Sequence, residues 1–208
     1  MTEIIPGILA HTLKELKEEL SKVSWAKKVH IDIMDGRFVP NRTITALTLK
    51  KALPKMDMQI HLMAYKPHTH INSFARLGAK EFIFHAEATK NAADILEYVR
   101  NAGMKAGIAF NPETKVERYG DALVHADTAL VMTVHPGFSG QAFIKAPLRK
   151  IAEIRKHNPS IYVGVDGGIS LQTCAFAAKA DFAIATHAVT EAKNSKAAYK
   201  KLLLKCKA

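Results

Sequence analysis

The sequence predicts a single (β/α)8 barrel, the TIM-barrel architecture, on three observations. Short apolar runs alternate with amphipathic stretches from one end of the chain to the other, which reads as repeated βα units and a parallel sheet. The first run leads into Ala10-His11-Thr12, where an open nucleotide-binding sheet would carry a glycine fingerprint. Polar, chemically active residues stand at the C-terminal ends of several runs, the end at which barrels of this kind build their sites.

Taken in order, the strands are expected at Ile4–Leu9, Lys28–Met34, Met58–Met63, Glu81–His85, Lys105–Phe110, Thr128–Val134, Ile161–Val165 and Phe182–Ala185. The clearest helix is Thr12–Val23, where Leu13, Leu16, Leu20 and Val23 share a face and Thr12 and Glu15 have capping-box spacing. Further helices are expected at Pro67–Leu77, Ala92–Ala102, Pro147–His157, Leu171–Lys179 and Ala197–Cys206. Loop signals fall where strands should end, at Asp35-Gly36, Asn111-Pro112, Pro136-Gly137 and Gly167-Gly168. No linker or composition break divides the chain, so residues 1–208 are expected to form one domain. The length of 208 residues is close to the lower bound for such a barrel, roughly 200.

Composition narrows the function classes. With 48% hydrophobic and 24% charged residues the chain reads as ordinary soluble globular material. Apolar runs such as Ala129–Val134 are too short to span a bilayer, so no membrane partner is expected. The start lacks a basic segment before an apolar one, and only Cys174 and Cys206 are present, which points to reduced thiols and a cytoplasmic location. The net charge of +11 is spread over amphipathic stretches, with a concentration only at Lys200–Lys207. Aromatic residues are not interleaved with the lysines, so nucleic acid is not the expected partner. A basic surface that attracts a small phosphorylated molecule fits better.

The chemistry concentrates at strand ends. In His30-Ile31-Asp32-Ile33-Met34, side chains alternate, so the histidine, the aspartate and the methionine share one face and the isoleucines the other. The isoleucines suit a strand–helix interface, leaving His30, Asp32 and Met34 for the barrel interior. His61 and Met63 repeat the device on the third strand, and Asp166 ends the seventh before Gly167-Gly168. A bare buried carboxylate is costly without a cation or a donor. Two histidines and two aspartates converging on one rim form a plausible site for one divalent metal ion, with Zn, Fe, Mn and Co all compatible. Asp35 reads as a turn residue, and His85, on the fourth strand, as a core residue.

Several segments resemble the ribulose-phosphate 3-epimerase family and its ketose-phosphate relatives. They are His30-Ile-Asp-Ile-Met-Asp-Gly-Arg-Phe-Val-Pro-Asn41, His61-Leu62-Met63, Met132-Thr-Val-His-Pro-Gly-Phe-Ser-Gly-Gln141 and Val165-Asp166-Gly167-Gly168-Ile169. The resemblance implies His30, Asp32, His61 and Asp166 as metal ligands, with Asp32 and Asp166 also the acid/base pair of an epimerisation at carbon 3. It implies Met34, Met63 and Met132 as pocket lining, and Gly137, Phe138, Ser139 and Gly140 as part of a loop over the substrate. Gly167 and Gly168, before a helix expected near Ser170, would contribute backbone donors to phosphate. It also implies a homo-oligomer.

Three places depart from the family pattern. Gly7 stands where the family has serine, His135 where it has asparagine, with Ser139 for a loop glycine. Thr186-His187 replace the family's Gly-Ser, which helps hold phosphate. Gly7, Thr186 and His187 are therefore carried as substrate-binding positions whose chemistry differs. Ribulose 5-phosphate is the expected substrate. A six-carbon analogue such as allulose 6-phosphate, and a non-catalytic sugar-phosphate-binding descendant, are the alternatives.

Overall fold

The structure, a computed structural model, describes residues 2–206; Lys207, part of the basic run at Lys200–Lys207, lies outside them. Eight parallel strands close into a barrel in the order β1 to β8, with β8 paired to β1. They are β1 Glu3–Ile8, β2 Lys28–Met34, β3 Asp57–Met63, β4 Glu81–His85, β5 Lys105–Phe110, β6 Thr128–Met132, β7 Tyr162–Asp166 and β8 Phe182–Ala185. The expected strands are all present, with ends shifted by one or two residues.

Helices α1 Leu13–Lys22, α2 Ala46–Leu49, α3 Ile71–Arg76, α4 Ala92–Asn101, α5 Gly120–Val124, α6 Lys150–His157, α7 His187–Thr190 and α8 Ser195–Lys205 surround the barrel. Helix α1 starts as its sequence dictates. The Thr12 hydroxyl accepts from Glu15 N at 3.2 Å, and the Glu15 carboxylate accepts from His11 N at 2.8 Å. Leu16 and Leu20 are buried beneath it. No helix among the described residues is long and apolar enough to cross a membrane.

The alternation read in β2 and β3 sets the two faces. Ile31, Ile33, Ile60 and Leu62 join the large core between sheet and helices. Inside the barrel, Ile5, Ile83, Ala109, Leu130, Met132, Phe182 and Ile184 form a separate apolar plug. Gly164 leaves room for the Phe182 ring, which a Cβ there would overlap. The plug is a floor, and the chemistry stands on it.

One expected helix is absent. Leu171–Lys179 forms only a 3-10 turn at Cys174–Ala177. Within that turn only Cys174 and Ala177 are buried, at the three-residue spacing that a 3-10 turn presents. Leu171 and Phe176, the large apolar side chains of the segment, are exposed. Upstream, the Thr173 hydroxyl donates to Gly168 O at 2.6 Å and accepts from Ser170 N at 2.9 Å. The helix expected to begin near Ser170 does not form, so Gly167 and Gly168 precede a loop. The short helices α2, α5 and α7 carry too few turns to show a period in the sequence.

Candidate active site

His30, Asp32, His61 and Asp166 meet at the C-terminal rim of the barrel. One ligand atom from each lies within 4.8 Å of the others. Register explains the convergence: Asp32 pairs with His61 across β2 and β3, and Met132 pairs with Asp166 across β6 and β7. His30 and His61 are fully buried, while Asp32 and Asp166 are 7% and 8% exposed. The carboxylates therefore just reach the cavity, and the imidazoles hold them from below.

Hydrogen bonds fix which atom each histidine offers. His30 Nδ1 lies 2.6 Å from Gln59 Oε1, and Gln59 Nε2 donates to Glu81 Oε2 at 2.8 Å. The amide oxygen must accept, so His30 Nδ1 donates. That leaves His30 Nε2 buried with no hydrogen-bond partner. It stands 3.4 Å from Asp32 Oδ1 and 3.7 Å from Asp166 Oδ2, both acceptors. A buried imidazole nitrogen without a partner, facing two carboxylates, is what a cation between them, a proton or a metal ion, would reconcile. The donor set, two imidazoles and two carboxylates, suits a divalent transition ion.

His61 is held by a longer relay. Its Nδ1 lies 3.0 Å from Asp32 Oδ1 and 3.5 Å from Asp166 Oδ2. Its Nε2 lies 2.9 Å from His85 Nε2, and His85 Nδ1 lies 3.3 Å from Glu87 Oε2. Burial holds His85 below the usual histidine range. A neutral His85 with its proton on Nδ1, the nitrogen that faces the Glu87 carboxylate, accepts from His61 through Nε2, which turns Nδ1 of His61 toward the cluster. Glu87 is anchored in turn by Asn111 N at 2.9 Å and by the Thr114 hydroxyl. The buried Lys150 ammonium donates to the carbonyls of Asn111, Pro112 and Thr114, closing the relay on α6.

Gln59, Glu81, His85, Glu87 and Lys150 were not legible as site residues. The signal available was the spacing of His85 and Glu87 at the end of β4. Nothing local tied either to His61.

Burial disfavours charge on both His61 and Asp32, but their mutual attraction and hydrogen bonds win. Burial would lower His61, yet hydrogen bonds and charge from Asp166 and Asp32 raise it to about 9. Burial would raise Asp32, yet His30 and His61 hold its carboxyl well below the usual range. Without a metal, a protonated His61 thus offsets one of the two carboxylate charges.

Above this cluster opens a cavity of about 290 Å³. Asp32, Asp166, Met34, Met63 and Met132 line its floor, and the segment Pro136–Phe143 its roof. Gly137, Phe138, Ser139 and Gly140 belong to that roof and Gly167, Gly168, Thr186 and His187 to the wall, whereas Gly7 does not line the cavity. The roof is braced where Gln141 Nε2 donates to His135 O at 2.6 Å and Phe138 O at 2.8 Å. Asn41 Nδ2 donates to Gly137 O at 2.6 Å. Gly167 has φ 113°, and a Cβ there would overlap Val134, so only glycine brings this backbone to the wall. His187 Nδ1 pairs with Glu191 Oε1 at 2.8 Å on a largely exposed turn. Asp35 is a turn residue as expected, its Oδ1 accepting from Arg37 N at 2.7 Å and Phe38 N at 2.8 Å.

A closed (β/α)8 barrel with a buried two-histidine, two-aspartate cluster beneath its C-terminal mouth is the frame of a barrel enzyme whose site could hold a metal ion. The chain belongs to the ribulose-phosphate 3-epimerase family, whose pattern matches residues 3–190. It is 42% identical over 183 residues to a ribulose-phosphate 3-epimerase of Mycobacterium leprae, covering 85% of this chain and 82% of that protein. It is 36% identical over 182 residues to the Bacillus subtilis ribulose-phosphate 3-epimerase, covering 83% and 84%. The crystal structure of KGPDC from Streptococcus mutans superposes with a TM-score of 0.71 at 16% identity, over 100% of this chain and 98% of that one, and shares the fold.

Two measurements test the site. Replacing a histidine's outer hydrogen-bond partner typically costs 10–100-fold in metal affinity. His85→Ala should weaken binding of a divalent ion by about that factor in a chelator competition, with the barrel's circular dichroism retained. Unaltered affinity would disconnect the relay from the cluster. The second concerns pH. His61 is raised above its unfolded value of about 6.5, so its contribution is complete below that pH and is lost as pH rises through about 9. The melting temperature of metal-free protein should fall across that interval, and a level profile would remove the His61–carboxylate attraction from the account.

Proposed function

We propose that this chain inverts carbon 3 of a ketose phosphate, interconverting ribulose 5-phosphate and xylulose 5-phosphate. The observation that carries the reading is the pair Asp32 and Asp166, two carboxylates side by side at the floor of a cavity. Inverting a carbon next to a carbonyl removes a proton from one face and returns one to the other. Two carboxylates flanking the substrate do this and exchange roles in the reverse direction. Relatives of matching length that carry the epimerase name support the same reading.

His30, Asp32, His61 and Asp166 would hold one divalent ion, with Zn, Fe, Mn and Co all compatible with these donors. When bound, the ion supplies Lewis-acid stabilisation of negative charge developing beside the abstracted proton. The chain's own residues do the rest. Asp32, ionised beside its histidines, would be the proton acceptor on one side of the substrate, and Asp166 faces the same space as its counterpart. Met34, Met63 and Met132 wall the reacting carbons with polarisable apolar surface that excludes water. The roof segment Pro136–Phe143 would cover the substrate, and the backbone N–H groups of Gly140, Gly167 and Gly168 would take the phosphate. His187 would add a side-chain contact, since it stands on the same wall. A cytoplasmic location and a homo-oligomer belong to this reading as well.

A coupled assay on ribulose 5-phosphate, run beside allulose 6-phosphate, decides activity and chain length of the substrate. Asp32→Asn and Asp166→Asn should each lower turnover by the 10²–10⁴-fold typical of acid–base groups. In deuterated solvent, the variant that retains the base should still exchange the C3 proton without inverting the centre. Near-normal epimerisation by either variant would take that residue out of the mechanism, and an inert parent protein would point to the non-catalytic alternative.

A further inference from the structure

Gly7 and Thr186 occupy one another's space. A Cβ built on Gly7 would overlap Thr186 Oγ1 and stand 3.1 Å from Thr186 Cβ. The threonine side chain therefore leans from the end of β8 across to β1 and fills the place where a side chain at position 7 would have been. Gly7 pairs in register with His30, and Ile184, two residues before Thr186, belongs to the apolar plug inside the barrel. The filled hollow thus opens on the barrel interior at the level of the first histidine of the cluster.

The hydroxyl there is not used for the fold. Thr186 is the N-terminal flanking residue of α7, yet its side chain does not cap the helix. Its carbonyl alone is engaged, accepting from Val189 N at 3.0 Å and Thr190 N at 2.9 Å. Thr186 lines the cavity wall and Gly7 does not. Ile184, two residues before it, and Ala188, two residues after it, also line the cavity and offer no polar side-chain atom.

We propose that the Thr186 hydroxyl is a substrate-contacting group, hydrogen-bonding an oxygen at the reacting end of the sugar, and that glycine at position 7 exists to make room for it. The inference rests on the epimerase reading above. It also joins two departures from the family pattern, at 7 and at 186, into one exchange: a hydroxyl delivered from β8 in place of one from β1.

The test is a set of variants assayed on ribulose 5-phosphate, with melting temperature and inhibition by inorganic phosphate measured in parallel. Thr186→Val keeps the shape and loses the hydroxyl. It should lower kcat/KM about three- to tenfold, the usual effect of one neutral hydrogen bond, with melting and phosphate inhibition unchanged. Thr186→Ser keeps the hydroxyl and should recover most of that loss. Gly7→Ser alone should lose both stability and activity, because its side chain meets Thr186. Gly7→Ser combined with Thr186→Gly should exceed Thr186→Gly alone, since the hydroxyl then arrives from the other strand.

Parent-like kcat/KM in Thr186→Val, or a double variant no better than Thr186→Gly, would overturn the inference. Weakened phosphate inhibition in Thr186→Val would overturn it too, by placing the hydroxyl on the phosphate. A parent that turns over no ketose phosphate removes the epimerase reading and this inference with it. That outcome is told apart from the others by the parent assay alone.

Discussion

The site is organised around two carboxylates buried side by side at the mouth of a barrel. An ionised group in so apolar a place is tolerated only if paired. Asp32 and Asp166 lie within reach of the same histidine nitrogens, so whatever positive charge enters must serve both. In the metal-free protein a protonated His61 serves them. A divalent ion would do so with two charges in place of one and would complete the environment of His30 Nε2. Proton and metal thus compete for one space, and the competition follows from geometry.

That demand explains polar structure far from the cavity. Each imidazole must present one chosen nitrogen, and a buried ring can be oriented only by what it bonds on its other side. Gln59 and Glu81 do this for His30. For His61 the support runs through His85 and Glu87 to the Asn111–Thr114 loop and Lys150. Two strands, the segments that follow β4 and β5, and one helix thereby share in orienting two rings. The apolar plug beneath, with Phe182 seated over Gly164, gives them a rigid base.

Much of this was legible because a strand has a period of two. Once His30, Asp32 and Met34 fall on one face and the isoleucines on the other, barrel closure brings them to His61 and Asp166 without further instruction. The supporting shell was not legible, since pairing His85 with His61 depends on the register between β3 and β4. Lys150 reads as a surface lysine on an amphipathic helix, and only the loop carbonyls after β5 make it a buried one. The failed helix at Leu171–Lys179 shows the same limit. Apolar residues at helical spacing suggested it, but the segment closes as a single 3-10 turn with only Cys174 and Ala177 buried. The relation of Gly7 to Thr186 was the least legible, because it joins the first and last strands across the barrel seam.

The central claim is that one ion and one proton contend for the space between Asp32 and Asp166. Calorimetric titration of a divalent ion into metal-stripped protein near neutral pH, repeated in buffers of different ionisation enthalpy, counts both. The account predicts one ion bound per chain and close to one proton released per ion, because His61, with its pKa near 9, must give up its proton to accept the metal. Binding with no proton displaced, or no saturable binding at all, would contradict it.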